Sequence, residues 1–88
     1  MAGFPRDTDP LIGPVKRSMT IAGHPTSISL EPVFWFGLEQ AAKAEALPLS
    51  ALVARIDAAR IAREEPPNLA SAIRAWLYAR SLSESEPG

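Results

Sequence analysis

The segment TSISL, residues 26 to 30, alternates polar and apolar side chains and is followed at once by a pattern typical of a helix. Thr26, Ile28 and Leu30 fall on one face of an extended chain, which is the two-residue period of a strand. The intervening Ser27 and Ser29 fall on the other face. A lone strand leaves unpaired hydrogen-bonding groups along both edges. What pairs with this strand therefore constrains the whole fold.

A second β-prone run, KRSMTIA at residues 16 to 22, lies just upstream. Met19 and Ile21 share one side of it, and Ser18 and Thr20 share the other. The triplet GHP then interrupts the pattern. Two interpretations remain open: one bent strand, or two strands joined by a turn at Gly23 to Pro25.

The length and composition limit the classes of function. The chain has 88 residues, no cysteine, one histidine and a formal net charge of -1. We expect one small domain that needs a partner subunit for stability, since neither a disulfide nor a zinc site can be assembled from these residues. We also expect no cofactor and no enzymatic activity, because His24 has no catalytic companions. No apolar run is long enough to span a membrane, and the N-terminus does not resemble a signal peptide, so a cytoplasmic protein is predicted.

Prolines divide the rest of the chain into helical segments. Pro32 suits the first position of a helix, and an apolar stripe at helical spacing runs from about residue 33 to residue 46. Phe36 and Gly37 lie off this stripe and indicate a close contact with another chain. The members of the stripe are Phe34, Trp35, Leu38, Ala41 and Ala42.

Two further helices follow Pro48 and Asn68. The second helix has a core-facing stripe predicted to end near Ala59, and two consecutive prolines stop the helix. Asn68 is a suitable N-cap for the third helix, whose apolar stripe must pack on its own dimer or on another molecule. We predict a flexible Pro- and Gly-rich arm over residues 1 to 15, one domain over residues 16 to 82 and a disordered tail over residues 83 to 88. The stripes comprise Leu49, Leu52, Val53, Ile56 and Ala59 in the second helix, and Leu69, Ala72, Ile73, Trp76 and Leu77 in the third.

This order of elements resembles the ribbon-helix-helix superfamily of DNA-binding proteins. The residues that carry the resemblance are SISLEP, the helix VFWFGLEQAAKAEA, the link LP and the helix LSALVARI. The longer segment KRSMTIAGHPTSISLEPVFW, with NLASAIRAWL downstream, is similar to a bacterial family of short ribbon-helix-helix proteins with a Gly-His-x-Thr-Ser-Ile-Ser-Leu-Glu pattern. The resemblance covers about residues 15 to 80.

The resemblance implies a mainly α fold with a short N-terminal β-ribbon and an additional C-terminal helix. It also implies an intertwined homodimer, or a higher oligomer built from it, in which the two TSISL strands pair antiparallel across a two-fold axis and enter the major groove of double-stranded DNA. The expected DNA-binding residues are Lys16, Arg17, His24, Ser27, Ser29 and Ser50. The expected dimer core consists of Ile28, Leu30, Phe34, Trp35, Leu38, Leu52 and Ile56.

Two functions of different classes follow. The first is a transcriptional regulator that binds operator DNA through the ribbon. The alternative is an antitoxin-like or scaffold dimer whose third helix or N-terminal arm binds a partner protein. The competing interpretation of His24 is a turn residue that is hydrogen-bonded to the backbone. The competing interpretation of Ser27 and Ser29 is that they are solvated strand residues without a role in binding. Lys16 and Arg17 could also serve only to keep the surface soluble.

Overall fold

A computed structural model describes residues 9 to 85 of the protein. The elements in chain order are β1 (Val15–Ile21), β2 (His24–Leu30), α1 (Pro32–Ala44), α2 (Leu49–Ile61) and α3 (Leu69–Ser85). β1 and β2 form an antiparallel hairpin, and all three helices pack against this hairpin or against one another. The predicted mainly α fold with an N-terminal ribbon and an additional C-terminal helix is confirmed.

The hairpin turns on two residues with positive φ, Ala22 at 51° and Gly23 at 84°. Positive φ at both central residues defines the type I′ turn, whose twist matches that of paired strands. Of the two interpretations left open by the sequence, two strands joined by a turn is therefore correct. The turn lies earlier than predicted, because Pro25 already belongs to β2.

The register explains how a proline fits into β2. Ile21 lies opposite His24 and closes the turn, and Thr20 lies opposite Pro25. Pairs in an antiparallel ladder alternate between hydrogen-bonded and non-hydrogen-bonded, and the pair that closes a two-residue turn is hydrogen-bonded. Pro25 therefore occupies a non-hydrogen-bonded position, where its missing N–H costs the hairpin nothing.

The first helix begins at Pro32, as predicted, and ends with a left-handed residue, Ala46 at φ 57°. The amide of Leu47 donates to the carbonyl of Ala42 at 2.9 Å, and the amide of Ala46 donates to that of Lys43 at 3.0 Å. These two bonds form a Schellman motif, which satisfies carbonyls that the last turn of a helix leaves unpaired. The motif reverses the chain sharply into α2.

The core-facing stripe of α2 ends one turn earlier than the sequence predicted. Ile56 is buried, but Ala59 is exposed. Arg60 occupies the end of the helix instead, where its guanidinium contacts Asp57 at 2.8 Å and donates to the carbonyl of Pro67 at 3.0 Å. This arginine ties the link between α2 and α3 to the end of α2.

The third helix has the predicted cap but a later end. The amide of Ser71 donates to Oδ1 of Asn68 at 2.8 Å, which confirms Asn68 as the N-cap. The helix continues to Ser85, so residues 83 to 85, predicted as tail, are helical. At the other end, Val15 was predicted to belong to the arm but opens β1. Residues 1 to 8 of the predicted arm and 86 to 88 of the predicted tail lie outside the described residues.

The hydrophobic core is closed within a single chain. Ile73 of α3 is completely buried, and Leu77 lies 3.7 Å from the position where a Cβ on Gly37 would be. The partner of Gly37 is thus the chain's own α3, where the sequence had suggested another chain. The buried apolar residues are Ile21, Ile28, Leu30, Trp35, Leu38, Ala41, Ala42, Leu52, Val53, Ile56 and Ile73.

Candidate nucleic-acid interface

The hairpin presents one face to the helices and one to solvent. Residues directly opposite each other in an antiparallel pair share a face, and the register pairs Lys16 with Ser29 and Ser18 with Ser27. All four of these residues are exposed. We call the solvent side the outward face; it consists of Lys16, Ser18, Thr20, Pro25, Ser27 and Ser29.

The opposite side of the hairpin anchors it to the helices. Ile28 and Leu30 are 3% and 0% exposed, as the alternation in TSISL predicts, and Ile21 of β1 is buried with them. Because the side-chain period of a strand is two, any slip of one residue would place these apolar side chains in water. The identity of the outward face is therefore strongly determined.

Lys16 and Arg17 are adjacent in sequence but lie on different faces. The guanidinium of Arg17 lies 4.6 Å from the ring centroid of Trp35, and its Nη1 donates to Glu39 at 2.9 Å. Lys16 lies on the outward face, and no ion pair within residues 9 to 85 involves it. Of the predicted basic pair, only Lys16 lies on the same face as Ser27 and Ser29.

Trp35 fixes the start of β1 relative to α1. Its indole Nε1 donates to the carbonyl of Val15 at 2.8 Å, while its ring is 1% exposed. With Arg17 on its ring, this side chain contacts β1 at two points. The position of Lys16, between these two residues, is thereby held from the helix side of the hairpin.

The remaining predicted contact residues lie at separate places. His24 is exposed beside the turn, and its carbonyl accepts a hydrogen bond from Oγ1 of Thr26 at 3.3 Å. Ser50 lies in the first turn of α2, which follows Pro48 as the N-cap residue. Within the described residues, the amides of Leu49 and Ser50 have no acceptor, as expected for the first turn of a helix.

The edge of β2 that faces away from β1 is unpaired in the described chain. Since Thr26, Ile28 and Leu30 occupy the hydrogen-bonded pairs with β1, the backbone groups of Ser27 and Ser29 point to the other edge. Those groups form a short template for another strand.

The comparisons with known proteins identify the family. The model of the ribbon-helix-helix domain matches residues 14 to 80, which is most of the chain and includes the whole hairpin. The chain belongs to the ribbon-helix-helix domain family. Neither the curated proteins nor the solved structures that were compared with the chain gave a match. Members of this family are generally DNA-binding regulators or antitoxins, and they typically form dimers.

The predicted dimer core of this ribbon-helix-helix protein is found inside one chain. Six of its seven residues are at most 4% exposed, and the seventh, Phe34, is partly buried against them. Within the described residues, β1, β2 and α3 pack against α1 and α2 around these side chains. The assignment of these residues to an interface between two copies stays a prediction.

A clamp between α3 and the start of α1 was missed by the sequence analysis. Nε of Arg74 donates to Glu31 at 2.9 Å, and the guanidinium of Arg74 lies 5.8 Å from the ring centroid of Phe34. This hydrogen bond, more than any other factor, lowers the pKa of Glu31 below its usual value. Glu31 is the residue between β2 and α1, so the clamp holds the ribbon onto the third helix. No local pattern indicates a contact between residues so far apart in sequence.

An apolar groove lies between α1 and α3, on a different part of the surface. Phe36 is 37% exposed and Tyr78 is 65% exposed there, with Val33 and Leu77 beside them. Over residues 9 to 85, no helix is both long and apolar enough to cross a bilayer, and no cluster of three potential metal ligands occurs.

Proposed function

We propose that this ribbon-helix-helix protein is a homodimeric, non-enzymatic transcriptional regulator that places its ribbon in the major groove of operator DNA. The observation that carries the proposal is the outward face, a continuous exposed surface of four small hydroxyl side chains, one proline and one lysine on a hairpin anchored from behind. The major groove admits a two-stranded β-ribbon, and side chains that point out of the ribbon meet base edges. Chromosomal DNA as the target would place the protein in the bacterial cytoplasm.

The free edge of β2 supports the dimer. Antiparallel pairing of two β2 strands about a two-fold axis would satisfy the backbone groups of Ser27 and Ser29 in both copies. Pro25 has no N–H to donate to such a ladder, so the pairing would centre on the serines. The outward faces of the two hairpins would then form one continuous surface.

The chemistry of the outward face indicates how it would recognise DNA. Serine hydroxyls can donate to or accept from either kind of base, and they discriminate less than a bidentate arginine or asparagine. Ser27 and Ser29 would therefore contribute modest base specificity. The sequence-independent part of the affinity would come from cations near the ribbon and would fall with increasing salt.

The test measures binding of the protein to a set of labelled, overlapping DNA duplexes that together cover the region upstream of its own gene. Wild type should bind at least one duplex, with an affinity that decreases as salt is raised. The double variant Ser27→Asp, Ser29→Asp places carboxylates against the bases and phosphates and should abolish the binding. The pair Ser81→Asp, Ser83→Asp at two exposed positions of α3 adds the same charge elsewhere and should leave binding nearly intact. Equal binding by both double variants would refute the proposal.

A second candidate function is an antitoxin-like or scaffold dimer, and the groove between α1 and α3 favours it. Exposed aromatic side chains such as Phe36 and Tyr78 are enriched where proteins bind one another. Deleting α3 is a poor test, because removing Ile73 would open the core. The double variant Phe36→Ser, Tyr78→Ser instead changes two residues outside the buried core. If the product of an adjacent gene co-purifies with wild type, these substitutions should prevent it, and unchanged co-purification would exclude this groove as the binding site.

A further inference from the structure

The strand β1 supplies half of the outward face. Its contribution is Lys16, Ser18 and Thr20, which lie opposite Ser29, Ser27 and Pro25 of β2. Two strands with exposed polar side chains therefore face the same way in each copy.

In the dimer of the proposed function, on which this inference rests, the spacing between strands determines which part of the DNA each strand would contact. Pairing through β2 gives a sheet of four strands, with the two β2 strands inside and the two β1 strands outside. At a spacing of about 4.8 Å, the axes of the β2 strands lie roughly 2.4 Å from the two-fold axis and those of the β1 strands roughly 7.2 Å from it. The major groove is about 12 Å wide, so its walls lie roughly 6 Å from its centre line. The β2 pair fits between the walls, and each β1 strand lies over a wall.

We propose that β1 is the phosphate-contacting strand of this protein. In this arrangement the ammonium group of Lys16 donates to phosphate oxygens, and the hydroxyls of Ser18 and Thr20 donate to phosphates of the same wall. Contacts of these types set the position of a protein on the duplex but carry no sequence information. Base reading is left to Ser27 and Ser29.

The surroundings of Lys16 and Arg17 agree with a division in which β1 contacts phosphates and β2 reads bases. Lysine is a compact cation with three donors, suited to phosphate as a point charge. Lys16 is exposed and has no ion pair within the described residues, whereas Arg17 is engaged by Glu39 and Trp35 on the other face. The protein's net charge of -1 offers no general attraction to DNA. A local cation above each groove wall therefore matters for affinity.

The experiment measures the salt dependence of binding for Lys16→Gln and for two control variants. The first control, Lys43→Gln, removes an exposed lysine from the last turn of α1. The second, Arg63→Gln, removes an exposed arginine just after the end of α2. The probes are the upstream duplex that binds best and an unrelated duplex of equal length and base composition. Affinities are measured by fluorescence anisotropy between 50 and 200 mM salt.

Lys16→Gln should reduce the slope of log K against log salt by about 1.8, since a dimer loses two phosphate contacts at about 0.9 each. The resulting affinity loss should be roughly tenfold larger at 50 mM than at 200 mM salt, and similar for both duplexes. Both controls should keep the wild-type slope.

An unchanged slope for Lys16→Gln, or a loss confined to the upstream duplex, would overturn the assignment of β1 to phosphates while leaving DNA binding in place. A wild-type protein that binds neither duplex at low salt would instead refute the proposed function, and this inference with it.

Discussion

Replacing Trp35 by phenylalanine tests whether α1 fixes the position of β1. The substitution removes the indole N–H that donates to the carbonyl of Val15 at 2.8 Å, at a cost of about 1 kcal/mol for a typical hydrogen bond. It also removes about three ring atoms from a side chain that is 1% exposed. At about 0.8 kcal/mol for each buried carbon, this loss of burial costs about 2 kcal/mol. We expect Trp35→Phe to lower the free energy of unfolding by about 3 kcal/mol in total.

Trp76→Phe is the matched control. Trp76 also has an arginine above its ring, Arg80 at 5.6 Å, so both variants replace tryptophan by a weaker cation–π partner. However, its ring is only partly buried, and its indole N–H has no hydrogen bond within the described residues. This variant should cost about 1.5 kcal/mol, because its ring is less completely buried and no hydrogen bond is removed.

Urea unfolding followed by circular dichroism at 222 nm measures both costs at one fixed protein concentration, with the slope m checked for constancy. If the two variants differ by less than about 0.5 kcal/mol, the hydrogen bond from the indole does not anchor β1. The role of Trp35 in holding the start of β1 against α1 would then be refuted.

Three further predictions concern stability and use the same assay. Ala46→Gly should stabilise the protein by about 1 kcal/mol, because glycine adopts the left-handed conformation of this position without steric cost; a loss of stability would argue against the Schellman motif. Gly37→Ala should also stabilise it by about 1 kcal/mol through helix propensity, since the added methyl meets α3 at an ordinary contact distance of 3.7 Å; a destabilised variant would indicate tighter packing there. Arg74 lowers the pKa of Glu31 below its usual 4.5, so the ionised carboxylate stabilises the fold above about pH 4.5, and this contribution is lost as the pH falls through the lowered value. The cost of Glu31→Gln, up to about 1 kcal/mol at pH 7 for a partly exposed pair, should therefore shrink between pH 6 and pH 3, and a cost independent of pH would contradict the role of this ion pair.

The faces of the strands were predictable from the sequence because alternation has only two possible outcomes. Ile28 and Leu30 had to be buried together, and their neighbours Ser27 and Ser29 had to be exposed. The starts of the helices were predictable for a similar reason. Pro32 and Asn68 each satisfy a local requirement of a first turn, and no distant residue affects it.

The pairing of β2 was not predictable from the sequence. A strand has two edges, and the alternation of TSISL does not show whether its upstream neighbour pairs with one of them. The turn that joins β1 to β2 begins with Ala22 at φ 51°. Asparagine at this position would have been the usual sequence signal for a type I′ turn. The separate roles of Lys16 and Arg17 were not predictable either. Arg17 is held on the helix side by Trp35 and Glu39, and the positions of these two residues depend on the whole fold.

Contact between the outward face of the ribbon and DNA can be observed residue by residue. The ¹⁵N-labelled protein is titrated with the upstream duplex at low salt, and the amide signals are followed by NMR. We expect the largest shifts at Lys16, Ser27 and Ser29, with little change at Phe36 and Tyr78. Shifts confined to the groove between α1 and α3, or no shifts at an equimolar ratio, would contradict this expectation.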